Sequence, residues 1–211
     1  MLEILPFTLG LASTNVYLVA DTATDDAVVI DPAWSGGRIR KAAEKRGWQI
    51  QALWLTHAHF DHFGGAAGVV DGFDPPPPVA LHDDDLPLWE ANGGASLFGV
   101  DLSDPGPKPS IHLTEGQILN LGGYDFEVRH APGHTPGHVL FYCAGENLLF
   151  SGDVIFRRGI GRADLPGGDH ATLIESIGQQ VLTLPDETRI LSGHGPETTV
   201  GEERQGNPFF R

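Results

Sequence analysis

Three histidines and an aspartate stand within the short segment LTHAHFDHFGG, residues 55–65. In the pattern H-x-H-x-D-H they are His57, His59, Asp61 and His62. Imidazole nitrogen and carboxylate oxygen are the ligands that zinc and similar ions prefer. Alternate side chains of an extended segment share a face, so His57 and His59 can reach one point. Asp61 and His62 follow as the chain turns, and they face a neighbouring point.

Three later segments each place one more metal-ligating side chain just after an apolar, strand-like run. They are His134 in APGHTPGH, Asp153 in LLFSGD and His194 in RILSGHG. A glycine precedes each of them, and its backbone freedom lets the ligand approach a common centre. A single histidine is more often a surface or core residue than a ligand. Seven such side chains at strand ends predict a metal site there.

The chain around these segments alternates between predicted strands and helices. A helix is predicted over residues 35–48, with Gly47 as its stop signal, and another over residues 170–184. Residues 83–110 are expected to form a short helix and then a long irregular loop, and DPPPPV, residues 74–79, a stiff connector. The predicted strands are EILPF, NVYLVA, DAVVIDP, QIQALWLTH, PVALH, YDFEVRHAPGH, HVLFYCA, NLLFSGD and TRILSGH. The pattern indicates an α/β protein whose sheet core is covered by helices.

Composition limits the class of protein. The 211 residues, with 40% hydrophobic composition, predict a single domain over residues 1–211. The formal net charge of −15 argues against nucleic acid or an anionic membrane as the main partner. The lone cysteine, Cys143, excludes an internal disulfide and is expected to be an inert core thiol. No signal peptide or membrane-spanning run is apparent, so a cytoplasmic protein with a small-molecule substrate is expected.

The order of these motifs resembles the metallo-β-lactamase superfamily, from IDP at residue 30 to GHG at residue 195. The resemblance implies a four-layer αββα sandwich and two divalent metal ions, zinc in the first place, with iron or manganese as alternatives. Asp31 would be structural or would contact the ligands. The implied ligand sets are His57, His59 and His134 for one ion, Asp61, His62 and His194 for the other, and Asp153 as the bridge.

A two-metal site of this kind has a direct chemical consequence. Two divalent ions carry about four positive charges, of which Asp61 and Asp153 cancel only two. The excess lowers the pKa of a bridging water towards about 7, which supplies hydroxide at neutral pH. The hydroxide would attack a carbonyl carbon or a phosphorus atom. Asp61 is expected to be catalytic as well as a ligand, because it can take part in proton handling.

The segment GDVIFRRGIGRADLPGGD resembles the glyoxalase II-like branch, which implies hydrolysis of thioesters such as S-lactoylglutathione. Arg162 stands where glyoxalase II has a substrate-binding lysine, so it would clamp a glutathione carboxylate. The alternative is a structural ion pair between Arg162 and Asp164. Only 17 residues follow His194, so the helical domain of glyoxalase II has no counterpart. The chain is more similar to the short, single-domain hydrolases of bacteria.

Two other functions are compatible with parts of the same residue pattern. GRAD also resembles the G-R-T-D of persulfide dioxygenases, which implies one iron held by the first histidine pair, His134 and Asp153. The late segment SGHGPETT departs from that branch, so the hydrolase is favoured. A closed structural zinc site needs only four ligands, which disfavours a metal-binding protein without turnover. His138 is expected to line the cavity or to pack at a strand start. The histidines expected to be structural are His82, His112, His130 and His170.

Overall fold

The computed structural model describes residues 1–210. One six-stranded sheet has the order β1-β2-β3-β4-β5-β6, with antiparallel pairing up to β3 and parallel pairing beyond it. Its strands are β1 (Leu2–Leu9), β2 (Thr14–Asp21), β3 (Asp26–Ile30), β4 (Gln49–Trp54), β5 (Val79–His82) and β6 (Ile111–Leu113).

A second six-stranded sheet has the order β14-β13-β10-β9-β8-β7, in which only β10 and β13 are parallel. A separate two-stranded hairpin, β11–β12, lies outside both sheets. These strands are β7 (Ile118–Leu121), β8 (Tyr124–His130), β9 (Val139–Cys143), β10 (Leu148–Gly152), β11 (Ile155–Phe156), β12 (Gly159–Ile160), β13 (Arg189–Ser192) and β14 (Thr198–Thr199).

Helices are short apart from the first. The α-helices are α1 (Gly36–Arg46), α2 (Phe60–Phe63), α3 (Ala66–Val70), α4 (Leu86–Glu90), α5 (His170–Ser176) and α6 (Val200–Gly206). Gly47 ends α1 in the left-handed conformation, at φ 74°, as its predicted stop signal requires. No helix among residues 1–210 combines the length and the apolar character that crossing a bilayer requires.

Alternating side chains of the strands build the layers. In β3, Val28 points between the two sheets, whereas Val29 packs towards α1. In β9, Phe141 points between the sheets, whereas Leu140 packs against Leu173 of α5. This period-two pattern places one helical layer on the outer face of each sheet. The arrangement confirms the predicted four-layer αββα sandwich.

Among the differences from the predicted elements, three concern the second sheet and the helices around it. The helix predicted over residues 170–184 is α-helical only to Ser176 and continues as a wider π-type turn over Ile177–Val181. Strand β7 was not predicted, because it is an exposed edge strand whose Ile118 is half exposed. The 17 residues after His194, for which no helix or strand was predicted, include β14 and α6, and Val200 enters the core.

Candidate metal centre

All seven predicted ligands lie together at one edge of the sandwich, where strands of both sheets end. His57 and His59 follow β4, and Asp61 and His62 lie on α2, which begins at Phe60. The remaining three come from the second sheet: His134 follows β8, Asp153 follows β10 and His194 follows β13. Carboxyl ends of strands therefore supply the site from both sheets.

The first set is formed by His57, His59 and His134. One nitrogen of each ring lies within 4.8 Å of the corresponding nitrogens of the other two. The Nδ1 of His59 and the Nε2 of His134 are 2.9 Å apart. All three side chains are buried. Three imidazole nitrogens that converge in this way match the ligand set of a catalytic zinc ion.

The second set is formed by Asp61, His62 and His194, whose ligand atoms also lie within 4.8 Å of one another. The Oδ2 of Asp61 is 3.5 Å from His194 Nε2 and 3.7 Å from His62 Nε2. Thr14 donates its hydroxyl to the same oxygen at 3.1 Å. The Thr14 contact fixes the direction of the Asp61 carboxylate, because it ties this carboxylate to the start of β2.

Asp153 lies between the two sets. Its Oδ1 is 3.4 Å from His62 Nε2. Its Oδ2 is 3.4 Å from His194 Nε2, in the second set, and 3.7 Å from His134 Nε2, in the first set. A carboxylate with ligand atoms of both sets at similar distances has the position that a bridging ligand needs.

Buried polar atoms without hydrogen-bond partners test whether the centre fits metal ions. His57 Nε2, His62 Nε2 and Asp153 Oδ1 are all buried and have no hydrogen-bond partner. Leaving such atoms unpaired costs free energy, so buried polar groups are normally satisfied. One ligand atom from each of these three residues also lies within 4.8 Å of those of the other two. The donor types and their positions fit a two-metal site, while the role of each ligand stays a prediction.

Hydrogen bonds behind the ligands hold the imidazole rings. His62 Nδ1 is 3.0 Å from Asp31 Oδ2, and His134 Nδ1 is 2.7 Å from the carbonyl oxygen of Arg162. The Thr56 hydroxyl donates to Asp31 and is 3.0 Å from His57 Nδ1. In each ring the nitrogen held from behind is Nδ1, so Nε2 is the nitrogen available to a cation, the arrangement common in metal sites. Asp31 therefore contacts a ligand, as the resemblance implied.

Two glycines allow the ligands to approach one another. A Cβ atom on Gly193 would lie 2.2 Å from Asp153 Oδ1, and one on Gly152 would lie 2.4 Å from Thr56 Oγ1. Gly152 also has a φ of +47°, which side-chain-bearing residues rarely adopt. The glycines that precede Asp153 and His194 are needed for close packing as well as for backbone freedom.

The electrostatics of the centre keep His59 neutral and Asp61 ionised, the forms in which these side chains bind cations. Burial, together with the neighbouring His134 and His62, lowers the pKa of His59 to about 3, so its ring is neutral. Burial would raise the pKa of Asp61, but the nearby His62 and His194 lower it to about 2. Burial would lower the pKa of His194, but Asp153 and Asp61 raise it to about 9. His194 therefore favours its protonated form, because its ring faces the carboxylates of Asp61 and Asp153. A cation bound between these groups would take the place of that proton.

Asp85 is a buried residue that the sequence reasoning missed. Its Oδ2 accepts hydrogen bonds from the Ala58 N–H at 2.9 Å and the Thr135 hydroxyl at 2.8 Å, and its Oδ1 accepts one from the Gly137 N–H at 2.6 Å. Ala58 lies between two ligands, His57 and His59. Thr135 and Gly137 belong to the loop of His134. One carboxylate therefore ties together the two loops that supply the first ligand set.

The remaining histidines are placed around the centre or at the surface. His138 is buried and stacks on His57, with ring centroids 4.7 Å apart, and its Nε2 accepts from the Asp153 N–H at 3.0 Å. It therefore supports the ligands from behind. His82 and His130 stack on each other, with centroids 4.2 Å apart. His112 pairs with Asp83, and His170 begins α5 at the surface.

A cleft of about 460 Å³ opens onto the centre. Arg162 lines it, as the substrate-binding prediction requires. Its guanidinium also pairs with both carboxylate oxygens of Asp164, Nε to Oδ1 at 2.7 Å and Nη2 to Oδ2 at 2.8 Å. Both side chains are more than half exposed. The alternative ion pair is present, and contact of Arg162 with substrate stays a prediction.

The C-terminal residues are hydrogen-bonded to the β11–β12 hairpin, and this hairpin forms one wall of the cleft. Glu203 of α6 is fully buried and accepts from the Arg158 N–H at 2.8 Å, the Thr198 hydroxyl at 2.6 Å and the Asn207 amide at 2.9 Å. The same amide donates to the Gly159 carbonyl at 3.0 Å. The turn of the hairpin is therefore bonded directly to the C-terminal helix.

We expect Glu203→Ala to lower the free energy of unfolding by about 2–3 kcal/mol, because three donors lose a buried acceptor. It should also raise KM more than it lowers kcat, since Phe156 and Ile160 of this hairpin line the cleft. Denaturant unfolding and steady-state kinetics measure both effects. Glu203→Gln is the matched control, because an amide can still bond all three partners. Equal losses in the two variants would contradict this role of the hydrogen bonds.

Comparison with known proteins places the chain in a family. Residues 9–194 match the model of the metallo-beta-lactamase superfamily. Hydroxyacylglutathione hydrolase GloC of Haemophilus influenzae is 37% identical, with 99% of this chain and 97% of that protein covered.

Two solved structures are similar over nearly their whole length. The BLEG-1 B3 metallo-beta-lactamase has a TM-score of 0.85 at 39% identity, with 100% of this chain and 99% of that chain covered. TTHA1623, solved in a di-iron-bound form, has a TM-score of 0.84 at 42% identity, with 97% and 99% covered. With its two ligand sets at the end of an αββα sandwich, the chain belongs to the metallo-beta-lactamase superfamily of metal-dependent hydrolases.

Proposed function

We propose that the protein hydrolyses thioesters, with S-lactoylglutathione as the reference substrate, and that it does so with two divalent ions. The main support is the position of Asp153, whose two oxygens lie near ligands of both sets on the floor of one open cleft. The full-length similarity to a hydroxyacylglutathione hydrolase supports the thioester class. Zinc is the proposed metal, with iron or manganese as the alternatives.

The reaction forms a carbon–oxygen bond to the acyl carbon and breaks its carbon–sulfur bond, giving an acid and a thiol. Bound divalent ions lower the pKa of a water molecule and polarise the attacked carbonyl. Asp61 is ionised at neutral pH and its side chain is partly exposed to the cleft, so it can accept the proton that the attacking water loses. The leaving thiolate then takes up the proton that Asp61 accepted, so water is added across the carbon–sulfur bond and no further acid is required.

Metal analysis together with a substrate panel tests the proposal. We expect about two transition-metal ions per chain, loss of turnover on chelation, and recovery when zinc, iron or manganese is returned. The panel contains S-lactoylglutathione, a lactone and a β-lactam. Fast turnover of the β-lactam without turnover of any thioester would contradict the proposed class.

A single-iron persulfide dioxygenase is the alternative that GRAD implied. The late segment SGHGPETT disfavours it, because it departs from that branch, and the convergence of Asp61, His62 and His194 supports a second ion. One tightly bound iron per chain, with oxygen uptake on glutathione persulfide, would replace the hydrolase by this alternative.

A further inference from the structure

The walls of the cleft above the metal centre are apolar. Phe60 and Phe98 line one part of it, and Phe156, Ile160 and Leu165 line another. Phe98 is half exposed, although it is a large apolar side chain. Its ring lies 5.5 Å from that of Phe60, which is itself buried. Apolar surface left open to water beside a reaction centre favours an apolar group of the substrate, because burying both surfaces is favourable.

The charges in the cleft also favour an uncharged substrate. Among residues 1–210, Arg162 is the only lysine or arginine that lines it. Asp164 already holds two nitrogens of this guanidinium, so much of its charge is compensated. Asp61 and Asp153 face the floor, and the whole chain has a formal charge of −15. A substrate arm with carboxylates, such as glutathione, would find apolar walls and little free positive charge.

We infer that the preferred substrates are thioesters with an uncharged, apolar group next to the reacting carbonyl. This inference rests on the proposed thioester hydrolysis and names the substrate class within it. The apolar group belongs to the acyl part or to the thiol part of the substrate, since the same walls surround both. Phe98 and Leu165 are specificity-determining residues, because they line the cleft and belong to neither ligand set.

Four thioesters show whether the apolar group is recognised in the acyl part or in the thiol part of the substrate. They combine a lactoyl or a phenylacetyl acyl group with glutathione or with uncharged benzyl thiol, and kcat/KM is measured for each on the metal-loaded protein. We expect at least about tenfold higher kcat/KM for thioesters with an apolar part than for S-lactoylglutathione. Comparison within each pair shows whether the acyl or the thiol part accounts for the gain.

Phe98→Ser should remove most of that preference, about tenfold, chiefly through a higher KM. Leu97→Ser is the matched control: Leu97 is adjacent in sequence and more exposed, but it does not line the cleft. The Leu97→Ser variant should prefer thioesters with an apolar part as strongly as the parent does. Equal kcat/KM for all four thioesters, or the highest value for S-lactoylglutathione, overturns the inference and leaves thioester hydrolysis standing. No turnover of any of the four overturns the proposed function itself.

Discussion

Asp61→Ala is expected to lower kcat/KM for thioester hydrolysis by about 10³-fold while the protein stays folded. Asp61 supplies the only negative charge of the second ligand set apart from the shared Asp153. Its Oδ2 is 3.5 Å from His194 Nε2. A cation bound between these two atoms would replace the proton that His194 otherwise attracts. We therefore also expect the metal content to fall from about two ions to about one per chain. Steady-state kinetics and elemental analysis of the purified variant measure the two effects.

Two further variants make this result specific to the carboxylate charge. Asp61→Asn keeps the size of the side chain and can still accept the hydrogen bond of Thr14, but it lacks the charge. It should lose nearly as much activity as the alanine variant. Asp101→Ala removes an exposed acid that belongs to neither ligand set and does not line the cleft, and it should behave like the parent. Parent rates in Asp61→Ala would show that the second ligand set plays no part in the reaction.

The grouping of the seven predicted ligands was largely predictable, because these residues follow strands. Strand patterns are strong in sequence, and open sheets place their carboxyl ends at a common edge. The alternation of strand-like and helix-like segments along the chain likewise predicted a sheet core covered by helices. The residues that orient the ligands follow no such rule. Thr56 and the carbonyl oxygen of Arg162 act through contacts that only the folded chain brings together.

Asp85 shows why the supporting residues are harder to find. It stands in the acidic run HDDDLP, where Asp83 and Asp84 are solvated. Nothing in that run distinguishes the third aspartate, yet it alone of the three is fully buried. The tail gives a similar case, because Glu203 lies in the polar segment VGEERQG and is buried by the hairpin across from it. Burial of single acids depends on tertiary contacts that local patterns do not encode.

We expect the buried Asp85 carboxylate to account for a large part of the stability of the centre. Asp85→Ala leaves the Ala58 N–H, the Thr135 hydroxyl and the Gly137 N–H without an acceptor in the protein interior. Each unsatisfied buried donor costs about 1–3 kcal/mol, so the variant should lose about 3–5 kcal/mol of unfolding free energy. Metal affinity should fall as well, because the loops of His57 and His134 are no longer tied together. Denaturant unfolding and metal titration, each on the metal-free protein, measure these changes.

Asp85→Asn separates the hydrogen bonds from the charge. Its amide oxygen can accept from Ala58 and Thr135, but its NH₂ group meets the Gly137 N–H, and two donors cannot bond. We therefore expect about half of the stability loss of the alanine variant, with a smaller loss of metal affinity. Asp84→Ala, which removes the adjacent exposed aspartate, should change neither quantity. If Asp85→Ala unfolded at the parent midpoint and bound metal equally well, the two ligand loops would be held by other contacts, since the three donors would then be satisfied without this carboxylate.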